Sequence, residues 1–103
     1  MSHNLFLQAI NDKLLLSLCF DSFEKGTITR KCVAFDFGPS NRYKDGKDRY
    51  HLYDLDSPNG KHNLAILPHQ IVSIILLDEN FDPTDYITWA TKWHYKRDWG
   101  ILS

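Results

Sequence analysis

"FDPTDYITWATKWHYKRDWG", residues 81–100, decides how the chain ends and what kind of domain it completes. Asp82 is a good N-cap, Pro83 suits a first helical position and Asp85 stands three residues after the cap. Tyr86, Trp89, Ala90 and Trp93 recur at helical spacing, Lys96 and Arg97 fall where a helix dipole favours cations, and Gly100 is a natural stop. The spacing predicts a C-terminal amphipathic helix over 83–97 with Tyr86, Trp89 and Trp93 on its inner face. Lys92 and Lys96 then point elsewhere. Tyr95, Lys96, Arg97 and Trp99 stay free to bind, Trp99 being the tryptophan least suited to burial between Asp98 and Gly100.

Working back from this segment, "QIVSIILLD" is the most apolar run and reads as a fifth, central strand. "HNLAIL" reads as a short fourth strand ended by Pro68, and "RYHLYDLD" as a third, with Arg49, His51, Tyr53 and Leu55 on one face and Tyr50, Leu52 and Asp54 on the other. "TITRKCVAFDF" is β-branched and aromatic, a second strand with Val33, Phe35 and Phe37 on one face. "KLLLSLCFD" alternates Leu14, Leu16, Leu18 and Phe20 as the first strand. Before it, Leu5, Phe6, Ala9 and Ile10 mark a helix over 2–11. "GPSNRYKDGKD", residues 38–48, is the longest loop candidate. One α+β, β-rich domain over 1–103 follows: five mainly antiparallel strands within 13–78 forming a small open barrel, with a helix at each end.

Twelve cations against thirteen anions leave a net charge of −1, so no global basic field draws in a polyanion, and nucleic-acid binding requires a local patch. Cys19 and Cys32 are too few for a disulfide framework or a four-ligand zinc site, and both lie in apolar runs as expected of buried, reduced thiols. A start without basic residues, its apolar run broken at Asn11, Asp12 and Lys13, gives no targeting segment. No stretch approaches the ~20 apolar residues of a bilayer span. A cytoplasmic protein without membrane contact is expected.

Three stretches carry a resemblance to the WYL-like domain. "LFLQAINDKLLLSLCFD" resembles that family's opening helix and first strand, and "TRKCVAFDFG…KDGKDRYHLYDLD" its second and third strands with a glycine-bearing loop. "HQIVSIILLDENFDPTDY" resembles its closing strand and acidic, phenylalanine-containing exit. The name triplet falls on Tyr50, His51 and Leu52, of which only the leucine is kept, and the basic residue expected in the closing strand is replaced by Gln70. The resemblance implies a five-stranded Sm-like barrel acting as a ligand-sensing module for nucleotides or nucleic acid, in a family often attached to a DNA-binding helix-turn-helix. One short helix before residue 12 cannot supply such a motif. A free-standing module, or a partner of a separate regulator chain, is expected.

Catalytic chemistry finds little support. His51, His62, His69 and His94 are separated by 11, 7 and 25 residues, which matches no local zinc pattern, and a meeting of His51, Asp54, His62 and His69 across strands is the one metal arrangement left. Asp78, Glu79, Asp82 and Asp85 are explained by capping and solvation. Ser17, Ser22, Ser40, Ser57 and Ser73 have no nucleophile-elbow context, and the five glycines are scattered singly rather than gathered into a phosphate loop. The expectation is a non-enzymatic binding or regulatory module without a cofactor, taking a nucleotide-like ligand or nucleic acid. Arg49, His51 and Gln70 would form the pocket on the strands. Arg42, Lys44 and Lys47 would steer an anion from the loop, and Trp93, Lys96 and Arg97 would add stacking and charge. The alternative is a protein-interaction or self-association module using the C-terminal aromatics.

Overall fold

The computed structural model describes residues 2–103. Helix α1 (Ser2–Asp12) buries Phe6, Ala9 and Ile10, spaced to share one face. Lys13, with φ of 53°, ends it and turns the chain into β1 (Leu14–Asp21). The side-chain amide of Asn80 donates to the carbonyls of Asp12 and Lys13, at 3.1 and 3.2 Å, satisfying acceptors that the helix end leaves open. Then come β2 (Thr27–Pro39), β3 (Asp48–Asp54), β4 (His62–Ile66) and β5 (Ile71–Asn80). All four pairings are antiparallel, in the order β4-β3-β2-β1-β5.

β4 and β5 are therefore the two edges, and β5 is not the central strand that its apolar run suggested. Its inner residues, Ile74 above all, pack into the core beneath α1, while Val72 and Ile75 stand exposed. In a flat five-stranded sheet these edges would lie about 19 Å apart. Yet β4 reaches β5 through Leu67 and the single 3-10 turn Pro68–Gln70, a link on the order of 12 Å. The sheet must curl to accommodate it. β4 and β5 do not pair, so the sheet is curled and unclosed.

β2 carries the centre of the fold. Cys32, Val33, Ala34, Phe35 and Asp36 are all buried, which an alternating strand achieves only when both faces are covered. A bulge at Phe35 breaks the register between Ala34↔Leu52 and Asp36↔His51. Phe35 and Asp36 thereby meet the C-terminal segment together, while Phe37 is turned toward Tyr50 and His3. The alternation expected to place Val33, Phe35 and Phe37 on one face is broken at that point.

The predicted C-terminal helix over 83–97 is not formed. Asp82 does cap, accepting from the Thr84 backbone N–H at 3.0 Å, but the 3-10 turn it starts ends at Asp85. Residues 87–99 instead form an irregular strap that bends at Trp89 and at His94–Tyr95, and from Thr91 its burial alternates: Thr91, Trp93, Tyr95, Arg97 and Trp99 are covered, Lys92, His94, Lys96 and Asp98 exposed. The cause is tertiary. The backbone N–H groups of His94 and Tyr95 donate to the two oxygens of the Asp36 carboxylate, at 2.9 Å each. Arg97 lies 3.3 Å from the same carboxylate and donates to the carbonyls of Phe35 and Tyr95. Its guanidinium lies 4.0 Å from the Trp93 ring centroid and 4.6 Å from that of Trp99. Trp99, expected to be exposed, is buried, its indole N–H donating to the Ile10 carbonyl at 2.9 Å. β-branched and aromatic residues, which lose side-chain freedom in a helix, fill much of 86–95, so a helix there costs little to forgo and the segment gains these partners instead.

Both cysteines are free thiols; Cys32 is buried, Cys19 half-buried. Burial, with Asp54 and Asp56 nearby, pushes the Cys32 thiol far above its ordinary range and keeps it unreactive. Among the described residues no helix is long and apolar enough to cross a membrane.

Asp36→Ala should cost about 3–5 kcal/mol, because it strands a buried guanidinium. Urea unfolding followed by tryptophan fluorescence measures it, and adding Arg97→Met should recover part of the loss.

Candidate functional site

The curl of the sheet, the 39–43 loop and the strap enclose an open cleft of about 860 Å³. β2 contributes Phe35 and Asp36, β3 contributes Arg49, His51 and Leu52, and the strap contributes Trp89, Lys92, Trp93 and His94. Its floor is apolar, with Phe20, Ile28 and Ile66. Strap and strand approach closely only because residue 38 is glycine: a Cβ there would lie 2.6 Å from the His94 ring.

Five of the nine residues predicted for a site line this cleft: Arg42, Arg49, His51, Gln70 and Trp93. Their roles differ. Arg49 is buried, and its guanidinium forks onto the two Asp45 oxygens at 2.9 and 3.0 Å, with the Tyr43 ring 4.1 Å away. His51 places Nε2 2.9 Å from the Gly38 carbonyl; a carbonyl only accepts, so Nε2–H is the donor. Gln70 holds the sheet's bend, accepting from the Leu67 N–H and donating to the Asp21 carbonyl, both at 2.9 Å. Trp93 donates its indole N–H to the Leu102 carbonyl at 2.7 Å and keeps a ring edge in the cleft.

The other four lie elsewhere. Lys44 and Lys47 are exposed on the loop away from the cleft wall, and Lys96 borders a smaller hollow of about 440 Å³ beside Thr91 and Ser103. Arg97 borders that hollow too, but its charge is held by Asp36, and burial draws its guanidinium down to about 10 against the opposing pull of that carboxylate.

Trp89, which the helical reading puts on a buried inner face, and Lys92, which it points away from that face, both line the cleft. Trp89, 47% exposed, meets Phe35 edge-on at 5.8 Å, and Phe35 lies 6.2 Å from Trp93. The three rings form an aromatic wall. The signal for this arrangement was the alternation from Thr91 to Trp99, which overlaps the helical spacing before it. Arg42, Lys25 and Lys92 line the cleft without a carboxylate in salt-bridge reach among the described residues.

Several other ionisable groups have structural partners. Tyr50, at the first position of the triplet, is buried against Phe6, its hydroxyl 2.8 Å from His3 Nδ1. His62 stands 3.9 Å from the buried Asp54, and His69 stacks on Phe23. Among the described residues no three His, Cys, Asp or Glu side chains gather as metal ligands would. Glu79 pairs with Lys31 at 2.9 Å. Comparison with protein families, curated proteins and solved structures finds no match to this chain.

Two outcomes are expected. Gly38→Ala should lift the strap at His94, lowering stability by about 1–3 kcal/mol as overpacking does, with a red-shifted tryptophan emission. The Arg49 fork, aided by the Lys47 N–H, holds the Asp45 carboxyl down to about 2. A depressed carboxylate keeps its pairing above the ordinary range near ~4 and loses it as pH falls below that. A carbon-13 titration should therefore show Asp45 ionised down to about 2, and Arg49→Ala should move the midpoint up.

Proposed function

We propose that this chain is a non-enzymatic ligand-binding module of the WYL-like kind. In this reading the curled sheet is a small Sm-like barrel, and its cleft takes a nucleotide-like ligand, an aromatic ring carrying an anionic group. One observation carries the reading: the aromatic wall of Phe35, Trp89 and Trp93 and the cations Arg42 and Lys92 line the same cleft of about 860 Å³. That volume lies within the roughly 300–1,000 Å³ of small-molecule sites. Stacking suits every base, and the cations suit a phosphate. A single mononucleotide fits this description better than a long nucleic-acid tract, since the net charge is −1 and Lys44, Lys47 and Lys96 lie off the cleft wall.

Titration with the four ribonucleoside 5′-monophosphates, followed by tryptophan fluorescence at two salt concentrations, tests it. Quenching that weakens with salt is expected, and Trp89→Ala should cost about tenfold or more in affinity, the weight of one base–aromatic stack. No response to any of the four at millimolar concentration and low salt refutes the reading. A short single-stranded oligonucleotide in the same assay shows whether a longer chain is accepted.

Self-association is the second reading, favoured by a different surface from the C-terminal aromatics. β5 is an open edge, its run Ile71–Leu77 free of charge and proline, with Val72 and Ile75 about 60% exposed. Sedimentation equilibrium should show concentration-dependent mass that Val72→Lys abolishes; a monomer at all concentrations excludes it.

A further inference from the structure

The 40–47 loop brings a carboxylate of its own to the one cleft arginine with an ideal anion-binding geometry. Arg49 presents Nη1 and Nη2 in parallel to Asp45 Oδ1 and Oδ2, at 2.9 and 3.0 Å. This is the fork by which guanidinium groups take carboxylates and phosphates. Arg49 lines the cleft together with Arg42 and Tyr43, whereas Asp45 does not, so the carboxylate reaches the guanidinium from the loop side.

The loop is closed mainly upon itself. The N–H of Lys44 donates to the Ser40 carbonyl at 3.1 Å, those of Arg42 and Tyr43 donate to Ser40 Oγ, and that of Lys47 donates to Asp45 Oδ1 at 3.0 Å. Lys44 and Gly46 take left-handed φ values of 51° and 72°, which shape the turn without help from the sheet. Among the described side-chain hydrogen bonds, ion pairs and ring contacts, those joining residues 41–47 to a strand end on Arg49: the Asp45 fork and the Tyr43 ring at 4.1 Å. The loop is thus fastened to β3 at a single residue. Its carboxylate is solvent-accessible, where water and salt weaken an ion pair.

We infer that Arg49 is the cleft's site for a phosphate monoester and that Asp45 is a resident competitor, which the incoming phosphate displaces from the guanidinium fork as the 40–47 loop lets go. This rests on the reading of the cleft as a nucleotide site and names the group that it selects. A neutral nucleoside cannot displace Asp45. A phosphate monoester, carrying more charge and three acceptor oxygens, can. Removing the carboxylate should therefore favour phosphate-bearing ligands and leave the ring-binding part of the cleft unchanged.

Calorimetry on the wild-type chain and on Asp45→Asn, with adenosine 5′-monophosphate, adenosine and inorganic phosphate as probes, tests this; the substitution is on an exposed loop, and thermal melts check that both proteins are folded. Asp45→Asn should tighten the monophosphate and inorganic phosphate by about fivefold, as expected for loss of an exposed competing charge, with adenosine unchanged. Weaker binding of phosphate in Asp45→Asn overturns the inference, because Asp45 then positions Arg49 rather than competing for it. Equal binding in both proteins, or none of inorganic phosphate in either, overturns it as well. Tightening of inorganic phosphate with no response to the monophosphate upholds the Arg49 anion site while refuting the nucleotide reading, so the two failures are distinct.

Discussion

The Asp36 carboxylate is the point from which the rest of the molecule is organised. It is buried in the C-terminal part of β2, where a lone charge would be intolerable. Two backbone N–H groups of the strap and the guanidinium of Arg97 meet it. Each of these partners is drawn from the last ten or so residues, so neutralising Asp36 and docking the C-terminus are one event. The docked strap in turn supplies Trp89, Lys92 and Trp93 to the cleft. A charge buried in the sheet thus brings two tryptophans of the tail against Phe35 of β2 and completes an aromatic wall that the sheet alone does not carry.

The bulge at Phe35 makes this possible. Without it, Phe35 and Asp36 would point to opposite faces, and the carboxylate and the ring that Trp89 leans on could not serve the same strap. Gly38 completes the arrangement two residues later by admitting the His94 ring against the backbone. Within four residues, β2 supplies an anchor, a packing surface and a clearance.

The elements with one covered face were legible in the sequence. Leu16, Leu18 and Phe20, and again Tyr50, Leu52 and Asp54, show their alternation because one side of the strand meets the core. The helix α1 was legible for the same reason at its own period. β5 was not placed correctly, since an apolar run reads alike for a central strand and for an edge strand lying partly under a helix. The strap was misread because two periods overlap there: Tyr86, Trp89, Ala90 and Trp93 fit a helix, while Trp93, Tyr95, Arg97 and Trp99 fit an extended chain. The partner that decides between them, Asp36, lies nearly sixty residues upstream. Of the residues expected at a site, Arg49 and His51 on β3 and Gln70 in the 3-10 turn line one cleft, whereas Phe35 and Asp36 of β2 line it without having been singled out. The Asp45 pairing of Arg49 and the inward turn of Arg97 were not legible, because charge partners across a loop or a sheet leave no local pattern.

The strand order has a kinetic corollary. β1–β2, β2–β3 and β3–β4 are each joined by neighbours in sequence, so three ladders can zip from short turns. The fourth joins Leu16 to Leu76 and must close a loop of most of the chain. Loop-closure entropy places that step, rather than any hairpin, at the summit of the folding barrier. Until β5 arrives, β1 offers an unsatisfied edge, and the strap that follows β5 cannot begin to dock. The molecule is therefore built from the β1–β4 meander outward, with β5 and the chemistry-bearing tail the last parts to be set in place.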